Sequence, residues 1–146
     1  MTTRTNTDHE LKSLIIHIND SVKGFEKAAE RASDENTTLA TYFNTQARER
    51  SVFADSLNKC FAEDDHERGS AEGSAHRALI SVKDMFTSDD PDSIVKEALR
   101  GEEKLADYIG DTFSDSDAIN PEAFTVITEL RQHVAGSIST LRAKLD

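Results

Sequence analysis

The chain has 146 residues, enough to bury one shared core but not two comfortable ones. Its 28 acidic and 17 basic side chains leave a net charge of −11, which repels phosphate backbones and anionic headgroups and argues against nucleic acid and membrane surfaces as partners. Six glycines, two prolines and 31% charged residues suit long amphipathic helices rather than a turn-rich sheet, and no apolar run approaches the roughly 18 residues of a membrane span.

Residues 1–7 are polar, lack the charged-then-apolar order of a secretion signal, and read as a disordered tail before a single helical domain over 8–146, with a cytoplasmic location expected. The first predicted helix starts at Thr7, where Thr7 and Glu10 have capping-box spacing. It carries Leu11, Ile15, Ile18, Val22, Phe25 and Ala29 on one face and ends near Ala32. Ser33 and Asp34 offer cap oxygens for a second helix with the stripe Leu39, Phe43, Ala47, Arg50, Ala54, Leu57 and Phe61. So short a connection makes the two an antiparallel hairpin.

The charged segment 63–69 reads as a loop, after which Ser70 caps a third, shorter helix to about Phe86 with Ala75, Leu79, Val82 and Phe86 on one side. Asp90-Pro91 is a strong helix start, because proline at the first helical position gives up an N–H that had no partner. The fourth predicted helix then runs to about Phe113, with Ile94, Ala98, Leu105 and Ile109 inward. Asn120-Pro121 repeats the device for a last helix carrying Ala123, Ile127, Leu130, Val134, Ile138, Leu141 and Leu145. Four long helices with narrow apolar stripes pack as an antiparallel four-helix bundle, the fifth and shorter one serving as a crossover on its side. The one cysteine, Cys60, has no internal disulfide partner and no zinc-ligand spacing.

At about 100° per residue, Arg50 falls near the centre of the second helix's apolar stripe. A guanidinium cannot stay there unpaired, since an isolated buried ion costs several kcal/mol. The same wheel puts Glu102 inward among Ala98, Leu105, Ala106 and Ile109, and Glu26 on the flank of the first helix beside Val22 and Ala29. A core polar network of Arg50 with Glu102 is therefore expected, with Glu26 assisting and Tyr108 or His76 at its edge. Such a network either sets helix register or lines a small polar pocket.

The run Gly24-Phe25-Glu26-Lys27-Ala28-Ala29-Glu30, the pattern Arg50-x-x-Phe53-Ala54-x-x-Leu57, Gly69-Ser70 followed by Ala75-His76-Arg77, and Arg100-Gly101-Glu102-Glu103 with Tyr108 occur in this order. Together they resemble a bacterial family of ferritin-like four-helix bundles catalogued as a domain of unknown function, over about residues 8–145. The resemblance implies a ferritin-like bundle with a long crossover between its second and third bundle helices, and brings no activity. The family pattern also favours a Trp after the His-Arg pair and a His in the last helix; here Leu79 stands near the first position and Ser137, Ser139 and Thr140 around the second.

A di-iron centre in such a bundle needs a Glu from each of two helices and an inward Glu-x-x-His from each of the other two. The literal Glu-x-x-His is Glu63 to His66, in the charged loop, and Arg50 stands where the second helix should supply a carboxylate. Glu129 and His133 lie off the apolar stripe and read as a solvated pair; His9 lies in the first exposed turn, His17 on a flank, and His76 one turn after Glu72. There is no glycine-rich phosphate loop, no Gly-x-Ser-x-Gly elbow and no Cys-His arrangement. The expected role is thus that of a metal-free, non-catalytic structural, stress-associated or interaction protein, self-associating as a homo-oligomer with a dimer favoured. Two alternatives stand beside it: an iron-binding or oxidoreductase-type relative using Glu26, Glu30, Glu102, Glu103 and His76, and a carrier of a small anionic ligand beside Arg50.

Overall fold

A computed structural model describes residues 2–60, 86, 88–114 and 120–145, with side chains from His9 onward. Four helices and no strands occur among the described residues: α1 (Thr2–Ala32), α2 (Thr37–Asn58), α3 (Pro91–Thr112) and α4 (Pro121–Leu145). The shorter helix expected over Ser70–Phe86, with the loop before it, lies outside the described residues except for Phe86.

Local chemistry sets the helix ends. The Asp90 side chain accepts from the Ser93 N–H at 3.0 Å, with Pro91 in the first turn. Asn120 Oδ1 accepts from the N–H groups of Glu122 and Ala123 at 2.8 and 3.2 Å. These side-chain oxygens satisfy first-turn donors that have no partner within the helix. α2 is capped by Asn36, whose Oδ1 accepts from the Leu39 N–H at 3.0 Å, rather than by Ser33 or Asp34. Those two residues fall in the turn that closes α1, where the Glu35 and Asn36 N–H groups return to the Ala32 carbonyl. α1 itself begins at Thr2, ahead of the Thr7 start, because the residues before Thr7 include no glycine or proline to stop it.

α1 packs against α2 and α3, and α4 packs against α3 and α2, so α2 and α3 face each other across the diagonal of the bundle. Two apolar clusters fill its ends. The Leu57 end gathers Leu11, Leu14, Ile15 and Ile18 of α1, Ala54 and Leu57 of α2, Leu105 and Ile109 of α3, and Ala123 to Val134 of α4. The Phe43 end gathers Phe25 to Ala32, Leu39 to Ala47, Ile94 to Ala98, and Leu141, with Phe86. This distribution fixes the directions. α1 and α4 run from the Leu57 end to the Phe43 end, and α2 and α3 run back. The connection from α2 to α3 thus leaves α2 at the end opposite to where α3 begins. Phe86, near the end of that connection, is buried at positive φ (53°) and its N–H donates to Glu97 Oε1 at 3.2 Å.

Candidate functional site: a charged layer between two apolar halves

Between the two clusters each helix contributes at least one polar side chain at the same level. On α1 it is Ser21, between Ile18 and Phe25; on α2, Arg50, between Ala47 and Ala54; on α3, Glu102, between Ala98 and Leu105; on α4, Ser137, between Val134 and Leu141. Arg50 is 0% exposed, Glu102 2% and Ser137 4%, while Ser21 is half-buried.

The guanidinium and the carboxylate meet end to end across the diagonal. Arg50 Nη1 donates to Glu102 Oε1 at 2.9 Å and Nη2 donates to Oε2 at 2.6 Å. This bidentate geometry matches the planar fork of arginine to both carboxylate oxygens. Nη1 also donates to Ser21 Oγ at 3.2 Å, and that hydroxyl in turn donates a hydrogen bond to the Ile18 carbonyl at 2.7 Å. The Phe25 ring lies 5.0 Å from the guanidinium carbon, covering the cation with an aromatic face. Ser137 Oγ shares a hydrogen bond with the Tyr42 hydroxyl at 3.2 Å. Burial lifts the Tyr42 phenol above its ordinary value; the Ser137 bond works against this, Glu102 adds to it, and Arg50 opposes it.

The other expected members lie elsewhere. Glu26 faces solvent: the buried face of α1 is centred on Phe25, Ala28, Ala29 and Ala32, which leaves Glu26 beyond its edge. Tyr108 belongs to the Leu57 end, its ring 4.3 Å from that of His17 and 6.3 Å from that of Phe113. His76 lies outside the described residues, as do Glu63, His66 and Glu72. Of the acids in the alternative iron set, Glu30 is exposed and Glu103 accepts from Arg142 Nη2 at 2.7 Å on the surface. Among the described residues no three His, Cys, Asp or Glu side chains are placed to hold a metal together.

His133 does not pair with Glu129. Its Nε2 lies 3.1 Å from Glu49 Oε1 on α2, and its ring packs 5.3 Å from that of Phe53. His17, read as a flank residue, is buried with an unpartnered Nδ1, and burial lowers its pKa. Cys60 is half-buried, its thiol pushed up by burial and then by Glu122. It borders a cavity of about 380 Å³ with Ser56, Lys59, Glu122, Thr125 and Val126, none of them a residue of the Arg50 layer.

Ser137 is the member that reading the sequence missed. The signal was present as unbroken three-and-four spacing through Ile127, Leu130, Val134, Ser137 and Leu141; following Ile138 instead steps off that line onto a half-buried position.

Chemically the layer is closed. Both Glu102 oxygens are engaged by Arg50, which leaves that carboxylate no free oxygen edge to turn toward a metal or a substrate. Among the described residues the molecule is an all-helical bundle with an ion pair sealed at its middle, and none of its described helices is long and apolar enough to cross a membrane. Over residues 6–115, more than half its length, the chain matches a family described as a domain of unknown function (DUF2383), and it belongs to that family. The matched region contains Arg50 and Glu102 and ends before α4. No curated protein and no solved structure matches the chain.

Proposed function

We propose that the protein is a ferritin-like bundle that works without a di-iron centre, as a non-catalytic structural, stress-associated or interaction protein of the cytoplasm, self-associating as a dimer. The observation that carries this reading is the sealed Arg50–Glu102 pair: a permanent cation occupies the middle of the bundle, and the buried acid facing it has both oxygens engaged. A fixed positive charge there repels a metal ion, and the remaining polar side chains of the layer are hydroxyls rather than carboxylates or imidazoles. The ferritin-like assignment is supported by helix order. Two antiparallel hairpins follow one another so that α2 and α3 run parallel, with the end of α2 and the start of α3 at opposite ends of the bundle, the helix order of bundles with one long crossover.

Anaerobic iron loading followed by metal analysis tests the reading. Iron at well below one equivalent per chain is expected for both wild type and Glu102→Ala. Stoichiometric iron retained by wild type and lost from Glu102→Ala overturns the proposal in favour of a carboxylate iron site. Light scattering on the purified protein tests self-association: twice the chain mass is expected, and a strict monomer at high micromolar concentration removes the dimer.

A further inference from the structure

Arg50 lies wholly inside the bundle, yet its donors are not all met. A guanidinium is a planar fork with five N–H groups. Its two terminal nitrogens form one edge, and Nε–H with the outer Nη2–H forms a second edge, directed away from the Nη1–H that flanks Cδ. Glu102 takes the terminal edge at 2.9 and 2.6 Å, and Ser21 on α1 accepts from Nη1 at 3.2 Å. Nε is buried and has no hydrogen-bond partner among the described residues. Folded proteins seldom leave such a donor unmet, because its desolvation is not repaid.

α1 and α4 flank the α2–α3 diagonal on opposite sides, and Ser21 marks the α1 side of the guanidinium. On the α4 side, at the same level, are the buried Ser137 hydroxyl and the Tyr42 hydroxyl bonded to it at 3.2 Å. We propose that the second edge of Arg50 is turned to α4 and holds one internal water molecule, which accepts from Nε–H and donates to a lone pair of the Ser137–Tyr42 hydroxyl pair.

The ligand is neutral for an electrostatic reason. Arg50 already balances Glu102, so an oxyanion on the second edge would leave a net negative charge in a layer closed above and below by apolar clusters. Water meets the donor without adding charge, and it finds the several polar partners that hold buried waters in place.

The experiment is water-exchange spectroscopy on the Arg50 Nε–H resonance of the full chain labelled with ¹⁵N-arginine. A cross peak of the sign given by a long-lived bound water is expected. In Ser137→Ala that cross peak should vanish and Nε–H exchange with solvent should quicken by about tenfold or more, the change that one lost buried hydrogen bond corresponds to. A wild-type Nε–H with no water contact overturns the proposal, and so does a cross peak unchanged in Ser137→Ala. A saturable shift of the resonance on adding sulfate also overturns it, by showing that the edge takes an oxyanion.

Discussion

Glu102 and Glu103 are neighbours in the chain and both bond to an arginine, yet they live in different solvents. Glu102 is 2% exposed and gripped at two points by a guanidinium that is itself fully buried, whereas Glu103 is 43% exposed and meets Arg142, 63% exposed, through one 2.7 Å contact. The Coulomb attraction is similar in kind; what differs is the cost of removing one partner. On the surface water takes the vacated place, while in the core nothing does. A contact's length therefore says little about its weight until the surroundings of both ends are known.

The sharpest way to break the contrast is Glu102→Leu, which strands a cation between two apolar clusters. A loss of about 3–5 kcal/mol is expected in urea unfolding at neutral pH. The double variant Arg50→Met with Glu102→Leu should recover most of that loss, because an apolar pair of similar volume avoids the desolvation of both ions. If the double variant is as unstable as the single one, the layer does more than bury a matched pair.

His17 carries the same contrast to a buried group whose Nδ1 has no hydrogen-bond partner among the described residues. Burial lowers its pKa from the usual 6.5, so the folded protein resists a proton that the unfolded chain accepts. Its contribution is whole above the ordinary imidazole value and is lost as pH falls from there toward the depressed folded value. Urea midpoints measured from neutral pH downward should decline through this window, and His17→Phe should flatten the slope; an equal slope in the variant would move the cause elsewhere.

Gly24→Ala sharpens the packing side of the comparison. A Cβ at Gly24 would meet Phe86 Cε2 at 3.9 Å, an ordinary contact, so the gain in helix propensity of about 0.5–1 kcal/mol should appear as a higher thermal midpoint. The smallest effect belongs to the exposed pair: Arg142→Ala should cost at most about 0.5 kcal/mol, and less in high salt. A larger loss there would make the surface contact part of the core's network.

Much of this was legible in advance for physical reasons. Helix starts at Asp90-Pro91 and Asn120-Pro121 are written in two adjacent residues each, and the inward positions of Arg50 and Glu102 follow from helical periodicity alone. Less legible was whatever depends on how helices sit around one another. That Arg50 reaches across the diagonal, that Tyr108 turns to His17, and that His133 finds Glu49 on another helix are consequences of ring order, which no single helix encodes. Glu26 illustrates a narrower error. A face of α1 through Leu11, Ile15, Ile18, Val22, Phe25 and Ala29 omits Leu14, Ala28 and Ala32, and including these buried residues rotates its centre away from that glutamate.

The pair across the diagonal also acts as an alignment mark. Oily surfaces tolerate sliding, since one leucine replaces another at little cost, and two hairpins packed only by such surfaces could settle one helical turn out of step. A slip of α3 by one turn, about 5.4 Å, would carry Glu102 out of reach of the guanidinium and bring alanine or leucine opposite a bare cation. Two short bonds thus hold two hairpins to a single offset, and they penalise every mispacked arrangement that the greasy faces alone would accept.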